Sequence, residues 1–340
     1  MTNPSNPARS QRPVHLSWVL IVALVSVAAA YLGWMGVRTL SIPTARDWVV
    51  REPGLATASV LPVSGRTYML SPVHDAAGTS PVIRVPRILV QELPDALTEM
   101  ENVDARKRLF VRTVLPLVLE MNRLVRRDRA RLLSIRERME TGKSLAVPDQ
   151  RWLQALANEY GLEETDIDTL LKRVDTVPPS LALAQAANES AWGQSRFAQN
   201  GNALFGQWSW DGNGIVPHKR PDGEKYRVRK FPTLLSSVYA YMRNLNTHPA
   251  YKRFRNLRAE LKTEETKAKG LALAGTLERY SERRGEYVAE LRQMIRTNDF
   301  QRFNNAVLVE PPALFAFGPG MPPETPVAQA EETASRGEEG

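Results

Sequence analysis

LALAQAANESAWGQSRFAQNGNALFGQW, residues 181 to 208, is the stretch on which the fold turns. Leu181 to Asn188 is built almost wholly from Ala and Leu, the composition of a tight helix enclosed by its neighbours. Val177-Pro178-Pro179-Ser180 breaks the chain just ahead, and prolines suit the first helical turn. Glu189 closes the helix, shortly before Gly193. A carboxyl placed there, behind apolar residues and beside Trp192, loses hydration and feels the negative end of the helix dipole. Both effects raise its pKa.

A carboxylic acid kept protonated near neutrality can give its proton to a departing glycosidic oxygen. Alone, a Glu ending an Ala-rich helix is as well explained by a solvated turn, so its surroundings decide. Trp192, Phe197, Phe205, Trp208 and Trp210 offer flat faces that stack on sugar rings. Asn188, Gln194, Asn200, Asn202 and Gln207 offer amides for hydroxyl and acetamido groups. Aromatics interleaved with amides describe a carbohydrate cleft. Phe197 and Phe205 also suit core packing, whereas Trp208 and Trp210 flank turns and are the better cleft residues.

Downstream, from Phe205 to Phe231, the helical period gives way to Gly, Asp, Asn and Pro around FGQWSW, GIV and KYRVRKF, which predicts a small hairpin or β-lobe. Its turns fall at Asp211-Gly212-Asn213-Gly214 and Asp222-Gly223. Helices are expected again at 234–245, 271–280 and 287–295. Upstream, apolar residues from Phe110 to Met139 recur at spacings of three and four, predicting an amphipathic helix or helix pair capped by Asp104 and kinked or divided at Pro116. Its polar face carries Arg123, Arg126, Arg127, Arg129, Arg131, Arg136 and Arg138, most simply a solvated stripe. Shorter helices follow Asp149 and Thr165.

Leu16 to Val37 is a run of 22 residues without a charge, and about 20 apolar residues span a bilayer. Arg9 and Arg12 precede it with no acidic residue, so the positive-inside rule puts the N-terminus in the cytoplasm and the body of the chain outside. Ala28-Ala29-Ala30 would suit signal cleavage, but the apolar run continues through Trp34 and Met35, favouring an uncleaved anchor. The expected organisation is a leader at 1–15, an anchor at 16–37, an irregular linker at 38–100, a helical region at 101–176, a catalytic domain at 177–308 and a Pro-rich acidic tail at 309–340. The chain has no cysteine, which excludes disulfides, thiolate metal sites and Cys nucleophiles, and its four histidines are scattered. A net charge of +8 suits polyanionic company, and export removes nucleic acid from that set.

Glu189-Ser190-Ala191-Trp192-Gly193 and Asn202-Ala203-Leu204-Phe205-Gly206 closely resemble the Glu-Ser-Gly-Trp-Gly and Asn-Asn-Leu-Phe-Gly motifs of the glucosaminidase domain of Bax-type proteins, related to glycoside hydrolase family seventy-three. Ala191 and Ala203 depart from the usual Gly and Asn. The resemblance continues through Val228-Arg229-Lys230-Phe231, Ser237 to Tyr251 and Tyr280-Ser281-Glu282-Arg283, over about 200 residues.

What the resemblance implies is an α+β, mainly helical, lysozyme-like bilobed fold with a small β-lobe, acting on N-acetylglucosaminyl bonds of peptidoglycan glycan strands without a cofactor or metal. Glu189 is then the proton donor, and Trp192, Asn202, Phe205, Gln207 and Trp208 bind substrate. A second carboxylate would come from the β-lobe, where Glu224, Asp222 and Asp211 are candidates. Glu224 is favoured because it begins a strand, while the two aspartates precede glycines and serve turns. Without such a carboxylate, the substrate's own acetamido oxygen could attack. Tyr280 matches a tyrosine near the anomeric carbon, and packing at a helix end explains it equally well. A muramidase or lytic transglycosylase on the same fold, or a non-catalytic wall-binding scaffold, are the competing functions. With the anchor, the expected location is the inner membrane, single-pass, with the catalytic domain in the periplasm.

Overall fold

A computed structural model describes residues 72–74, 81–218, 220–261 and 269–309. The anchor read at 16–37 and the tail beyond Val309 lie outside the described residues. Among those described, no helix is long and apolar enough to cross a membrane.

The order is β1 (Pro72–His74), β2 (Pro81–Pro86), α1 (Ala96–Glu99), α2 (Val103–Glu140), α3 (Val147–Glu159), α4 (Ile167–Arg173), α5 (Pro179–Ser190), α6 (Arg196–Gly201), β3 (Trp208–Ser209) and β4 (Arg227–Val228). It continues with α7 (Leu234–Thr247), a 3-10 turn at Pro249–Tyr251, α8 (Lys252–Glu260), α9 (Lys269–Ala274), α10 (Gly285–Thr297), a 3-10 stretch at Phe300–Asn305 and β5 (Val307–Val309). The fold is mainly helical with two small sheets, one of order β1-β2-β5 and a β3-β4 hairpin.

Helix α2 is the axis of the molecule. Asn102, not Asp104, caps it: the Asn102 side chain accepts from the Ala105 N–H at 2.9 Å, and Asp104 already lies inside the first turn. Pro116 neither ends nor divides it. An internal proline costs about 3 kcal/mol, and here every residue from Thr113 to Asn122 is buried, so packing outweighs that cost. This middle stretch is enclosed rather than amphipathic. It takes in Glu120, 0% exposed, whose carboxylate accepts two bonds each from Arg87 and Arg123. Burial alone would raise the Glu120 pKa, but the two guanidiniums prevail and hold it below the usual carboxylate value. Asn122 exchanges bonds with the Val177 backbone at 2.8 and 3.0 Å, fixing the loop that delivers α5.

The outer end of α2 packs on α3 and α4 through a second cluster that includes Val125, Leu132, Ile135, Leu156 and Leu170. Much of the arginine stripe turns out to be the seam of this unit. Arg131 and Arg138 both reach Asp149, Arg136 pairs with Glu140, and Arg129 donates to the Leu171 and Val174 carbonyls.

Residues 81–99, read from their irregular composition as part of a linker, are built into the domain. Ile83, Val85, Leu89, Leu93 and Leu97 belong to the main core. Strand β2 pairs in parallel with β5 through Arg84↔Val307 and Val85↔Leu308. The apolar pieces here are too short for a period to emerge, which is why the sequence does not announce them. Each buried aliphatic side chain contributes about 1.5–3 kcal/mol, so five of them rival the roughly 5–15 kcal/mol stability of a whole domain. A chain beginning at Glu101 is therefore expected to show no cooperative thermal transition by circular dichroism, whereas one beginning at Pro72 melts cooperatively.

Candidate active site

Helix α5 ends in three consecutive left-handed residues: Ala191 (φ 51°), Trp192 (φ 59°) and Gly193 (φ 82°). Ser190 ties the turn down by donating to the Ala186 carbonyl at 2.6 Å and accepting from the Gly193 N–H at 2.9 Å. Gly193 is required twice over, since a Cβ there would also lie 2.9 Å from Leu97 Cδ1. The turn sends the Trp192 ring into the core, edge-on to Phe110 at 5.7 Å and beside Phe300 at 6.0 Å. Trp192 thus lies apart from the cleft described next.

An open cleft of about 1180 Å³ brings together Glu189, Phe205, Gln207, Trp208 and Tyr280 of the residues expected at the site. The β3-β4 hairpin adds Trp210, Asp211, Tyr226 and Arg229, and α7 adds Tyr239, Arg243 and Asn244. Phe205 is buried and stacks on Tyr241 at 3.9 Å, so its ring anchors the loop. Gly206 (φ 61°) follows, where a Cβ would sit 3.2 Å from Glu189 Oε2. Its missing side chain lets the backbone approach the carboxyl. Gln207 donates to the Ala240 carbonyl at 3.2 Å, joining hairpin and α7. Trp208 and Trp210 are 51% and 69% exposed, and Trp208 stacks on Tyr226 at 4.1 Å, an aromatic rim without an internal packing role.

Asn202 is placed elsewhere. It caps α6 in the left-handed region (φ 52°), is 6% exposed, and donates to the Phe231 carbonyl at 3.2 Å. Asparagine tolerates that backbone region, and its amide clamps the strand arm rather than facing the cleft.

Glu189 is the terminus of a buried chain of hydrogen bonds. The Tyr241 hydroxyl donates to Gln185 Oε1 at 2.7 Å, and Gln185 Nε2 donates to the Tyr287 hydroxyl at 2.9 Å. Having accepted from Gln185, Tyr287 is left to donate its proton to Glu189, with which it is hydrogen-bonded. Burial raises the Glu189 pKa, opposed by the Tyr287 bond and by Arg283, and burial prevails. None of Gln185, Tyr241 and Tyr287 was singled out in the sequence. The available signal was Gln185, a lone polar side chain one helical turn before Glu189 in an Ala/Leu helix.

Of the three candidates for a second carboxylate, Asp211 lines the cleft, whereas Glu224 and Asp222 are exposed on the 221–225 turn and do not. The Ser209 hydroxyl and then the Asn213 N–H, at 2.9 Å, hold Asp211 below the usual carboxylate pKa, with Arg229 assisting. The sequence favours Glu224 as the start of a strand and sets Asp211 aside because it precedes a glycine, but the strand begins only at Arg227 and leaves Glu224 on the turn. Asp211 does form that turn, through Asn213, and its position still exposes the carboxylate to the cleft. Tyr280 donates to the Phe205 carbonyl at 3.1 Å and stacks on Tyr287 at 5.6 Å, so it both lines the cleft and packs its wall. Among the described residues no group of three or more His, Asp or Glu is placed to hold a metal ion.

A carboxyl whose folded pKa lies above its unfolded value binds more protons when folded, so it loses stability as pH rises from the unfolded pKa through the folded one. Glu189→Gln removes that loss. Its melting temperature is expected to exceed that of the natural chain at pH 7 and to match it below about pH 4. Tyr287→Phe removes the bond that opposes burial, so it is expected to move the Glu189 titration, followed by the same melts, further upward. Ala191→Gly relieves a left-handed Cβ and is expected to stabilise by about 1 kcal/mol in urea unfolding.

Residues 165–300 match the family described as mannosyl-glycoprotein endo-beta-N-acetylglucosaminidase. The chain is 32% identical over 212 residues to Protein bax of Escherichia coli (strain K12), covering 61% of this chain and 74% of that one. Among solved structures, the catalytic domain of the autolysin Auto from Listeria monocytogenes matches with 19% identity and a TM-score of 0.30, over 50% of this chain and 96% of that one. By the extent and identity of its match to Protein bax, this chain belongs to the Bax-type glucosaminidase family.

Proposed function

We propose that the chain is an endo-β-N-acetylglucosaminidase that hydrolyses β-1,4 bonds of peptidoglycan, working as a lysozyme-like pair of lobes around the cleft. The observation that carries this is a pair of carboxyls with opposed environments on one cleft: Glu189 buried and raised, Asp211 hydrogen-bonded and lowered. Such a split assigns roles, the neutral acid as proton donor and the ionised one as the negative partner.

As the glycosidic C–O bond breaks, Glu189 gives its proton to the leaving oxygen and the anomeric carbon gains positive charge; water then bonds to that carbon, and the proton it releases restores the acid. Tyr287 occupies one oxygen of the Glu189 carboxyl, so the acidic proton rides on the other. Asp211 supplies the negative charge that an oxocarbenium-like transition state demands. Trp208 and Tyr226, already stacked, present a face for a sugar ring. The amide of Asn244 lies within the same cleft for hydroxyl and acetamido groups, while that of Gln207 is engaged with the Ala240 carbonyl. Residues 16–37 anchor the chain in the inner membrane and place this domain in the periplasm, where its substrate lies.

The test is mass spectrometry of products from purified peptidoglycan incubated with the full chain and with Glu189→Gln. Reducing N-acetylglucosamine ends that vanish in the variant are expected. Anhydro or reducing muramic ends would move the chemistry to a transglycosylase or muramidase, and no cleavage would move the protein to a wall-binding role. The kcat/KM profile is expected to be bell-shaped, falling at high pH as Glu189 ionises and at low pH as Asp211 is protonated. Asp211→Asn should abolish the acid limb.

A further inference from the structure

Several enclosed guanidiniums among the described residues take most of their hydrogen bonds from within, with Arg106 Nε and Arg258 Nε left unpartnered. Arg255 donates to the Leu245 and His248 carbonyls, Arg258 to the Asp175, Thr176 and Lys172 carbonyls and to Asn246, and Arg87 to Glu120. Two half-buried arginines of the cleft break this pattern. Arg229, at the end of β4, lies 5.1 Å over the Phe231 ring, and Arg243, on α7, lies 5.0 Å over the Tyr160 ring. Arg243 Nη1 is enclosed without a hydrogen-bond partner. Asp211 acts on Arg229 through space, and Asp128 and Glu159 line a small pocket with Arg243, with neither guanidinium in a direct ion pair among the described residues. The third cleft arginine, Arg283, is already paired with Glu290.

An aromatic face holds a guanidinium flat without consuming its in-plane donors. An arginine so held is preorganised for a planar anion, because its fork matches a carboxylate in two parallel bonds. Taking a cation partly out of water without a partner is costly, and a ligand carboxylate removes that cost.

We propose that Arg229 and Arg243 bind carboxylates of the peptides carried on the glycan, so that the cleft selects acidic, peptide-substituted strands over neutral N-acetylglucosamine polymers. This rests on the glucosaminidase reading and narrows its substrate. The two arginines come from different walls, the hairpin and α7, so they flank the path of a strand that passes Glu189. They are specificity residues and take no part in proton transfer.

The test compares peptidoglycan fragments before and after conversion of their carboxylates to methylamides, cut by the full natural chain, Arg229→Gln, Arg243→Gln and Arg243→Lys. Each charge-assisted bond is expected to be worth about 10- to 100-fold in kcat/KM. Amidation should therefore slow the natural chain by that factor, mainly through KM. Arg243→Gln should lose a similar factor on the native fragments and little on the amidated ones, with Arg243→Lys regaining part of it; Arg229→Gln, which also removes a charge that helps keep Asp211 ionised, should lose activity on both and clearly more on the native fragments. The ratio between the two substrates is independent of the folded fraction of a variant. Equal losses on both substrates, or amidated fragments cut as fast as native ones, would overturn the assignment. If the natural chain cuts neither, the glucosaminidase reading fails, and co-sedimentation with native and amidated wall sacculi still decides the point: retention lost on amidation and in the Gln variants supports it, and retention unchanged refutes it.

Discussion

The hydrogen bond from Tyr287 to Glu189 is the constraint around which the domain is organised. A carboxyl taken out of water without a partner would be expelled by refolding of its helix end or neutralised outright. One donor, aimed by Gln185 and Tyr241, keeps it in place while leaving burial dominant. That donor can be aimed only if three helices meet. Gln185 and Glu189 come from α5, Tyr241 from α7 and Tyr287 from α10. The packing of α5 against α2, α10 and the Phe300–Asn305 stretch follows from the same demand.

The backbone beside this chain is as specialised as the side chains. A left-handed turn ends α5, and Gly206 brings the loop against Glu189 with no Cβ between. These conformations cost free energy locally, and the half-buried Trp192 ring and the buried Phe205 ring hold them, each pinned by aromatic neighbours. The two motifs, 189–193 and 202–206, are therefore mostly scaffolding. Of the ten residues in them, Glu189 alone carries an ionisable group to the cleft.

That distinction explains what could be read in advance. Glu189, its helix, the hairpin and the helices at 234–247 and 285–297 were legible because composition and punctuation report local structure directly, whereas α8 at 252–260 went unread and the helix expected at 271–280 stops at Ala274. The roles of Trp192 and Asn202 were not, because a motif shows that a residue type is required and not whether it faces ligand or core. Asp211 was hidden by its second task as a turn former. Residues 81–99 were hidden because their order comes from partners far along the chain, above all the β2-β5 pairing and the packing of Leu97 under Gly193. Tyr287 became meaningful only when α10 was folded against α5.

The β2-β5 ladder has a consequence for how the domain comes into being. It joins positions 84 and 307, so a strand ahead of every described helix pairs with the one that follows them all. Long-range pairing of this kind pays its loop-closure entropy before any contact rewards it. A chain emerging in order from its N-terminus can assemble α2 to α10 early, yet β2, paired on one side with β1, keeps its other edge open until Val309 is available. Strand β5 therefore closes the domain, and until it pairs, the strand leading into the segment under the Glu189 turn is held on one side only, so the site is completed after the last strand of the described fold is made.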